Sequence, residues 1–248
     1  MFKIKNPFIV LRNFFKRYIN KKYPSWDITI ALRYFPIVSD LKKIYQDGEK
    51  ILEVGSEISG ITPYLKKKVY GVDINFDYSK QNKYLKPIKA SAINLPFKNN
   101  SIEYILSVDM LEHLNPKLRI KAIKEMLRVA KKKIFLSFPT GLHSEKVDLD
   151  LYLYFKKIGF DYPYLMEHIN LGLPNFDEIV DFIRLHKNIK LKVKGNTNIF
   201  IWKNLLKLGM SNHRFKSSLY KRFLILFPIL RHLNFHPTYR KLFILELL

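Results

Sequence analysis

Glu53 and Asp73 lie twenty positions apart, each at or near the end of an apolar run: Ile51-Leu52-Glu53-Val54-Gly55 and Val69-Tyr70-Gly71-Val72-Asp73. An apolar run ending in an acid and a glycine turn reads as a buried strand entering a tight loop. An acid about twenty residues on, at the carboxyl end of a neighbouring strand, is placed to accept hydrogen bonds from ribose hydroxyls. Two strands, a loop and a ribose-reading acid therefore point to a nucleoside-cofactor site. Farther along, the pairs Glu112-His113 and Glu167-His168 offer imidazoles near pKa 6.5 for proton transfer. His143, after Pro139-Thr140-Gly141, is a third candidate near the expected cleft. Packing at a loop-to-helix junction is the competing role for these histidines. They are too scattered in the chain for a metal-site spacing, so no catalytic metal is expected.

The elements that must hold these groups follow from periodicity and turn chemistry. Strands are predicted at Ile51–Val54, Val69–Asp73, near Ile88, at Tyr104–Asp109 and at Ile134–Phe138. Thr62 can cap a short helix whose first turn suits Pro63. Asn115-Pro116 opens another, with Leu118, Ala122, Ile123, Met126 and Leu127 as its buried stripe. Pro174-Asn175 opens a third, with Asp177 and Glu178 in its first turn, running to about His186. Residues 26–46 read as one or two helices broken at Pro36, and Asp47-Gly48 turns the chain into the first strand. Lys190–Lys194 alternates as an edge strand, residues 198–234 show helical apolar spacing with a break at Pro228, and Tyr239–Leu245 closes the chain as a strand. Alternating strands and helices predict an α/β, doubly wound, mostly parallel sheet.

The ordered set becomes specific with Ala90-Ser91-Ala92-Ile93-Asn94-Leu95-Pro96-Phe97, Asn100-Ser101-Ile102-Glu103-Tyr104-Ile105 and Ser107-Val108-Asp109-Met110-Leu111-Glu112-His113-Leu114. With the loop after Glu53, it resembles class I S-adenosylmethionine-dependent methyltransferases of the branch carrying "LPF…LEHL" motifs, over about residues 48–140. Glu167-His168-Ile169-Asn170-Leu171-Gly172-Leu173-Pro174 is similar to an "EH…GLP" segment of some members. The resemblance implies a seven-stranded Rossmann-like sheet with an antiparallel pair at its end. N-terminal helices would fill residues 1–46, and the methyltransferase domain would span 47–248, with a helical insertion at about 198–234 as a lid or substrate element. It implies S-adenosyl-L-methionine as cofactor. Glu53, Gly55, Ser56 and Glu57 would lie by its methionine end, Asp73 and Ile74 by the ribose, and Ser91 and Ala92 by the adenine. Asp109 would face the methionine moiety or the reacting centre, with His113 and His168 beside it as catalytic candidates.

Two departures from the family pattern bear on activity. The loop carries Glu57 and Ser59 where the later glycines stand, and Ser91 replaces an acid that contacts adenine. They leave two readings. One is methyl transfer to an oxygen of a small-molecule, glycan or cell-envelope acceptor; the other is a degenerate fold acting as a non-catalytic binding or scaffold protein.

Composition sets the outer bounds. The chain has 248 residues, 48% of them hydrophobic, and no cysteine, which excludes disulfides, thiolate metal sites and thiol nucleophiles. Its 44 basic and 21 acidic residues give a net charge of +23, which attracts anionic partners or reflects a lysine-rich solvated surface. Lys66–Lys68 and Lys131–Lys133 read as solvated helix ends before strands. No RNA-binding motif or nucleobase-methylating tetrad is present, so an anionic membrane surface is favoured over nucleic acid. Phe8, Leu11, Phe15, Tyr18 and Ile19 fall on one helical face, for packing on the domain or for lying on lipid. No segment reads as a signal peptide or a membrane span, so a cytoplasmic protein is expected, with peripheral attachment to the inner membrane face as an option. Oligomeric state is not legible.

Overall fold

In the computed structural model, residues 7–24, 26–78, 82–210 and 219–248 are described, with side chains from residue 13 onward. Seven strands form one sheet: β1 (Ile51–Val54), β2 (Val69–Asp73), β3 (Leu85–Lys89), β4 (Ile102–Val108), β5 (Ala130–Pro139), β6 (Ile189–Asn198) and β7 (Thr238–Leu247). Their order is β3-β2-β1-β4-β5-β7-β6, parallel up to β5, with β7 antiparallel to both of its neighbours. The expected doubly wound sheet with an antiparallel end is what the chain builds. β1 is buried at all four positions, as a central strand covered on both faces must be.

Helices cover both faces. α1 (Pro7–Lys22), α2 (Ile28–Ile44) and α3 (Thr62–Leu65) lie on one side, and α2 shares a core with Ile51, Val69, Tyr104 and Leu106. On the other side are α4 (Pro116–Val129) and α7 (Phe176–Arg184), packed on Leu52, Ile105, Ile134 and Phe243. A third, smaller core joins α5 (Leu142–Lys157), α6 (Pro163–Leu171) and α8 (Ile199–Gly209) through Leu151, Phe155, Leu165 and Trp202. α8, a 3₁₀ turn at Phe223–Leu226 and a helical turn at Phe227–Leu230 lie between β6 and β7, where the insertion was expected. Residues 211–218 of that insertion lie outside the described residues, as do the side chains of Phe8 and Leu11.

Local chemistry accounts for the ends of these elements. Asn115 caps α4 by accepting from the Lys117 amide, and Asn175 caps α7 by accepting from Asp177 and Glu178. Four expectations change. Ile61, not Thr62, holds the cap position of α3; the Thr62 hydroxyl donates instead to the Ser59 carbonyl at 2.5 Å. α2 runs through Pro36 unbroken, and in the turn before the proline the Arg33 carbonyl accepts from the buried Asn196 side chain at 2.8 Å. Lys131–Lys133 belong to β5 and pair with Glu103, Glu49 and Glu246, acids on β4, the turn before β1 and β7. The buried stripe of α4 runs through Arg119, Ala122, Ile123, Met126 and Val129, whereas Leu118 and Leu127 are half-buried. α5 and α6 have no counterpart among the expected elements: charged residues interrupt the apolar spacing of α5, and α6 is only nine residues long.

Candidate active site

The loop after β1 is built around Glu53. Its carboxylate is fully buried, accepting from the Tyr34 hydroxyl and the Ile61 amide, each at 2.7 Å. A side chain at Gly60 would collide with it, so the glycine leaves the room that the carboxylate fills. Burial pushes Glu53 up to about 7, opposed by the hydrogen bonds from Ile61 and Tyr34. Glu53 thus anchors the loop from beneath. Gly55 has a φ of +81°, and a side chain there would strike Met110, so it lets the loop after β4 approach closely. Ser56 is buried, and its hydroxyl donates to the Glu57 carbonyl.

Asp73, at the end of β2, accepts from the Glu57 amide at 2.9 Å and the Asn75 amide at 3.2 Å, one on each oxygen. The carboxylate is thereby oriented at the carboxyl edge of the sheet, and each oxygen retains a lone pair for a further donor. Ile74 beside it is exposed. Glu57 adopts a left-handed φ of +47°, the conformation a family glycine takes without strain. Its side chain reaches over to the Tyr164 hydroxyl at 3.4 Å. Ser91 closes a tight bridge with Asn94, its hydroxyl accepting from the Ile93 amide at 3.4 Å, and Ala92 is buried in the adjoining core. The neighbouring Leu95–Phe97 segment is clamped by Arg128, which donates to the Leu95 and Phe97 carbonyls and grips Glu125 with two bonds.

Beyond β4 the chain turns at Asp109, whose φ is +49°. Arg240 of β7 donates to one carboxylate oxygen at 2.6 Å, and Arg33 of α2 pairs with the other at 3.0 Å. Burial opposes its charge, but the guanidiniums of Arg240 and Arg33 hold Asp109 below the usual carboxylate range. An acid so held is a poor proton acceptor at neutral pH and a good electrostatic anchor. Arg240 is itself buried and lies over the Trp202 ring, 4.1 Å from its centroid.

Asp109 faces a cleft of about 240 Å³ at the carboxyl end of the sheet, whose walls include Glu57, His113, Tyr162, Tyr164, His168 and Trp202. His113 sits in a 3₁₀ turn at Leu111–His113, with its Nδ1 2.6 Å from Glu167. The turn is fixed by Arg119, which donates to the Leu111 and Leu114 carbonyls and to those of Leu171 and Gly172 at the end of α6. Burial and the neighbouring His168 hold the His113 imidazole below its ordinary pKa, against the pull of Glu167. His168, on α6, is buried, with its Nδ1 2.8 Å from Asp148, which also accepts from the Tyr239 hydroxyl at 2.5 Å. The two imidazole rings lie 5.0 Å apart.

The tertiary structure therefore brings together Asp109, His113, His168 and Glu57, with Asp73 bound to the Glu57 backbone. His143 stands apart, exposed and against His236. Sequence singles out Glu112 only as the partner of His113 in its motif, and it does not single out Arg33, Asp148, Tyr164, Trp202, Tyr239 or Arg240. These six are ordinary helix and strand residues until α2, α5, α6, α8 and β7 meet. A larger groove, about 630 Å³, lies beside the loop after β2 against Phe76 and Tyr78, and none of the expected site residues is on its walls.

A family model described as a methyltransferase domain matches residues 52–138. Among solved structures, the chain is similar to the plantazolicin methyltransferase BpumL in complex with S-adenosylhomocysteine, with a TM-score of 0.57 at 11% identity over 98% of this chain and 92% of that one. A protein of Anabaena variabilis assigned as a methyltransferase of an antibiotic biosynthesis pathway gives 0.55 at 17% identity, over 88% of this chain and 99% of that one. Phosphoethanolamine N-methyltransferase 2 of Haemonchus contortus gives 0.51 at 15% identity, over 94% of this chain and 56% of that one. No curated protein sequence matches the chain. The motif order, the matched segment and the sheet agree: residues 52–138 match a methyltransferase domain, and the chain has the fold of the solved methyltransferases it resembles.

Proposed function

We propose that this chain transfers the methyl group of S-adenosylmethionine to a hydroxyl oxygen of a small, ring-containing acceptor such as a sugar unit of a glycan or cell-envelope precursor. The observation that carries this reading is the cleft between Glu57 and Trp202, where two imidazoles meet aromatic walls within about 240 Å³. Tyr162, Tyr164 and Trp202 offer faces to a flat or sugar-like ring, while His113 and His168 offer nitrogen lone pairs to its hydroxyl. Methyl transfer needs the nucleophile in line with the methyl–sulfur bond and water kept out, so positioning supplies much of the rate. In this reading Asp73 receives the ribose, Ser91 and Ala92 flank the adenine, and the Arg33–Asp109–Arg240 cluster holds the methionine end. Glu57 separates cofactor from acceptor.

Calorimetric titration with S-adenosylmethionine and S-adenosylhomocysteine, followed by a screen of hydroxylated and amino acceptors, tests the reading. Micromolar binding and turnover of a hydroxyl acceptor are expected. Turnover of amines alone would move the methyl group to nitrogen, as the name of the Haemonchus contortus neighbour suggests. If neither cofactor form binds, the left-handed Glu57 has closed the site, and the degenerate, non-catalytic reading replaces this one.

A location at an anionic membrane surface is a second proposal. No helix of the described residues is long and apolar enough to cross a membrane. On α1, however, Phe14 and Tyr18 are exposed among Lys16, Arg17, Lys21 and Lys22, the pattern of an interfacial helix. Salt-sensitive co-sedimentation with anionic vesicles is expected, and equal retention on neutral vesicles or on RNA would remove it.

A further inference from the structure

Glu112 and His168 are buried, yet neither carboxylate oxygen of Glu112 nor the Nε2 of His168 has a hydrogen-bond partner among the described residues. Buried acceptors left bare are costly, and native proteins rarely keep several together without a ligand. Both belong to one cluster: Glu112, His113 and His168 each offer a donor atom, and the three atoms lie within 4.8 Å of one another. Three ligands about 2.1 Å from a common ion stand roughly 3–3.5 Å apart, so small side-chain rotations would bring them to bonding distance.

The surroundings of the imidazoles are those of metal ligands. His168 turns its Nδ1 to Asp148, and His113 turns its Nδ1 to Glu167. A carboxylate behind the far ring nitrogen fixes the tautomer with the proton on Nδ1, leaving Nε2 as a lone-pair donor. Asp148 is in turn held by the Tyr239 hydroxyl, and the backbone carrying Glu112 and His113 is held by Arg119, whose guanidinium is spent on carbonyls. Asp109 is balanced by Arg240 and Arg33. Asp148 and Glu167 thus leave the two imidazoles backed by negative charge.

We propose that Glu112, His113 and His168 bind one divalent first-row cation, of the zinc, cobalt or manganese class, that activates the acceptor hydroxyl. Two imidazoles and one carboxylate suit these ions better than magnesium or calcium, which prefer oxygen donors. Three protein ligands leave a coordination position open towards the cleft. The inference rests on the methyl-transfer reading for its role, though not for the binding of the ion, and it gives the imidazole lone pairs to the cation in place of the acceptor hydroxyl. A hydroxyl oxygen of the acceptor takes the open position and releases its proton to water, since the cation lowers its pKa. Its lone pair then forms the carbon–oxygen bond as the methyl–sulfur bond breaks. The electron pair of the broken bond stays on sulfur, which loses its positive charge.

The test uses the full chain after chelator treatment, titrated with Co2+ and then Zn2+. One equivalent of Co2+ with visible d–d absorption, displaced by Zn2+, is expected. Affinity should fall at least tenfold in Glu112→Gln, which keeps the side chain's shape, and in His113→Ala, which empties only a half-buried position; His143→Ala should bind as the wild type does. Absence of stoichiometric Co2+ and Zn2+ binding, or equal affinity in Glu112→Gln and His113→Ala, overturns the site. S-adenosylhomocysteine is titrated in parallel with chelator present. Cofactor binding without cation binding keeps the methyl-transfer reading and removes this one; cation binding lost in both variants but without cofactor binding does the reverse.

Discussion

The two sides of the cleft are built in different ways. Around the loops after β1 and β2, several fixing contacts join residues close in sequence or in loops that follow neighbouring parallel strands: Ile61 to Glu53, Glu57 to Asp73, and Gly55 against Met110. On the side roofed by α5, α6 and α8 the contacts span the chain. Asp109 pairs with Arg240, 131 positions away, and Asp148 with Tyr239, 91 positions away. The first side is a set of loops that the sheet presents at its carboxyl edge in any fold of this class. The second exists only when α2, α5, α6, α8 and β7 have docked. One side is local and the other is assembled.

Breaking the assembled side should have the largest effect. Arg240→Met leaves Asp109 with Arg33 alone in a buried setting, and stability in urea should fall by about 3–5 kcal/mol. A loss under about 1 kcal/mol would mean that the two sides are coupled far more loosely than these contacts imply. Chelator-treated Arg240→Met should also melt in two steps if the roof of α5, α6 and α8 loosens before the sheet.

The next largest effect separates the sides by pH. Glu53 titrates at about 7 in the folded chain instead of its ordinary 4.5, so the folded state holds a proton that the unfolded state releases. The stability this provides is complete below about pH 4.5 and is lost as pH rises through 7, about 3 kcal/mol in all. Glu53→Gln removes it, so the stability difference between the wild type and this variant should shift by that amount between about pH 4 and pH 8. A difference that stays constant would place an ionised carboxylate under the loop at all of these pH values.

Asp73→Ala tests the local side directly. Loss of a charged acceptor for ribose hydroxyls should weaken S-adenosylhomocysteine binding about 10- to 100-fold, with stability changed far less. Equal binding would move the ribose elsewhere. The smallest effect is expected of Glu57→Gly, which relieves a left-handed side chain and should raise stability by up to about 1 kcal/mol and tighten cofactor binding a few-fold. Weaker binding instead would give the Glu57 carboxylate a positive role at the junction of the two sides.

The sequence by itself determined the strands of the first half, the loop after Glu53, the acid at Asp73 and the motif that carries Asp109 and His113. These are short-range patterns: apolar runs of strand length, glycine where the backbone must turn, and asparagine where a helix starts. It also set the antiparallel end and the position of the insertion, through the resemblance. Pro36 and Lys131–Lys133 misled because local propensity was overruled by burial against the sheet and by acids on neighbouring strands. Only the tertiary structure decided that Arg33 and Arg240 clasp Asp109, and that Glu112 and His113 meet His168 beside bare acceptors. Such groups leave no periodic mark, because a contact between distant segments depends on where the elements pack rather than on how residues are spaced along them.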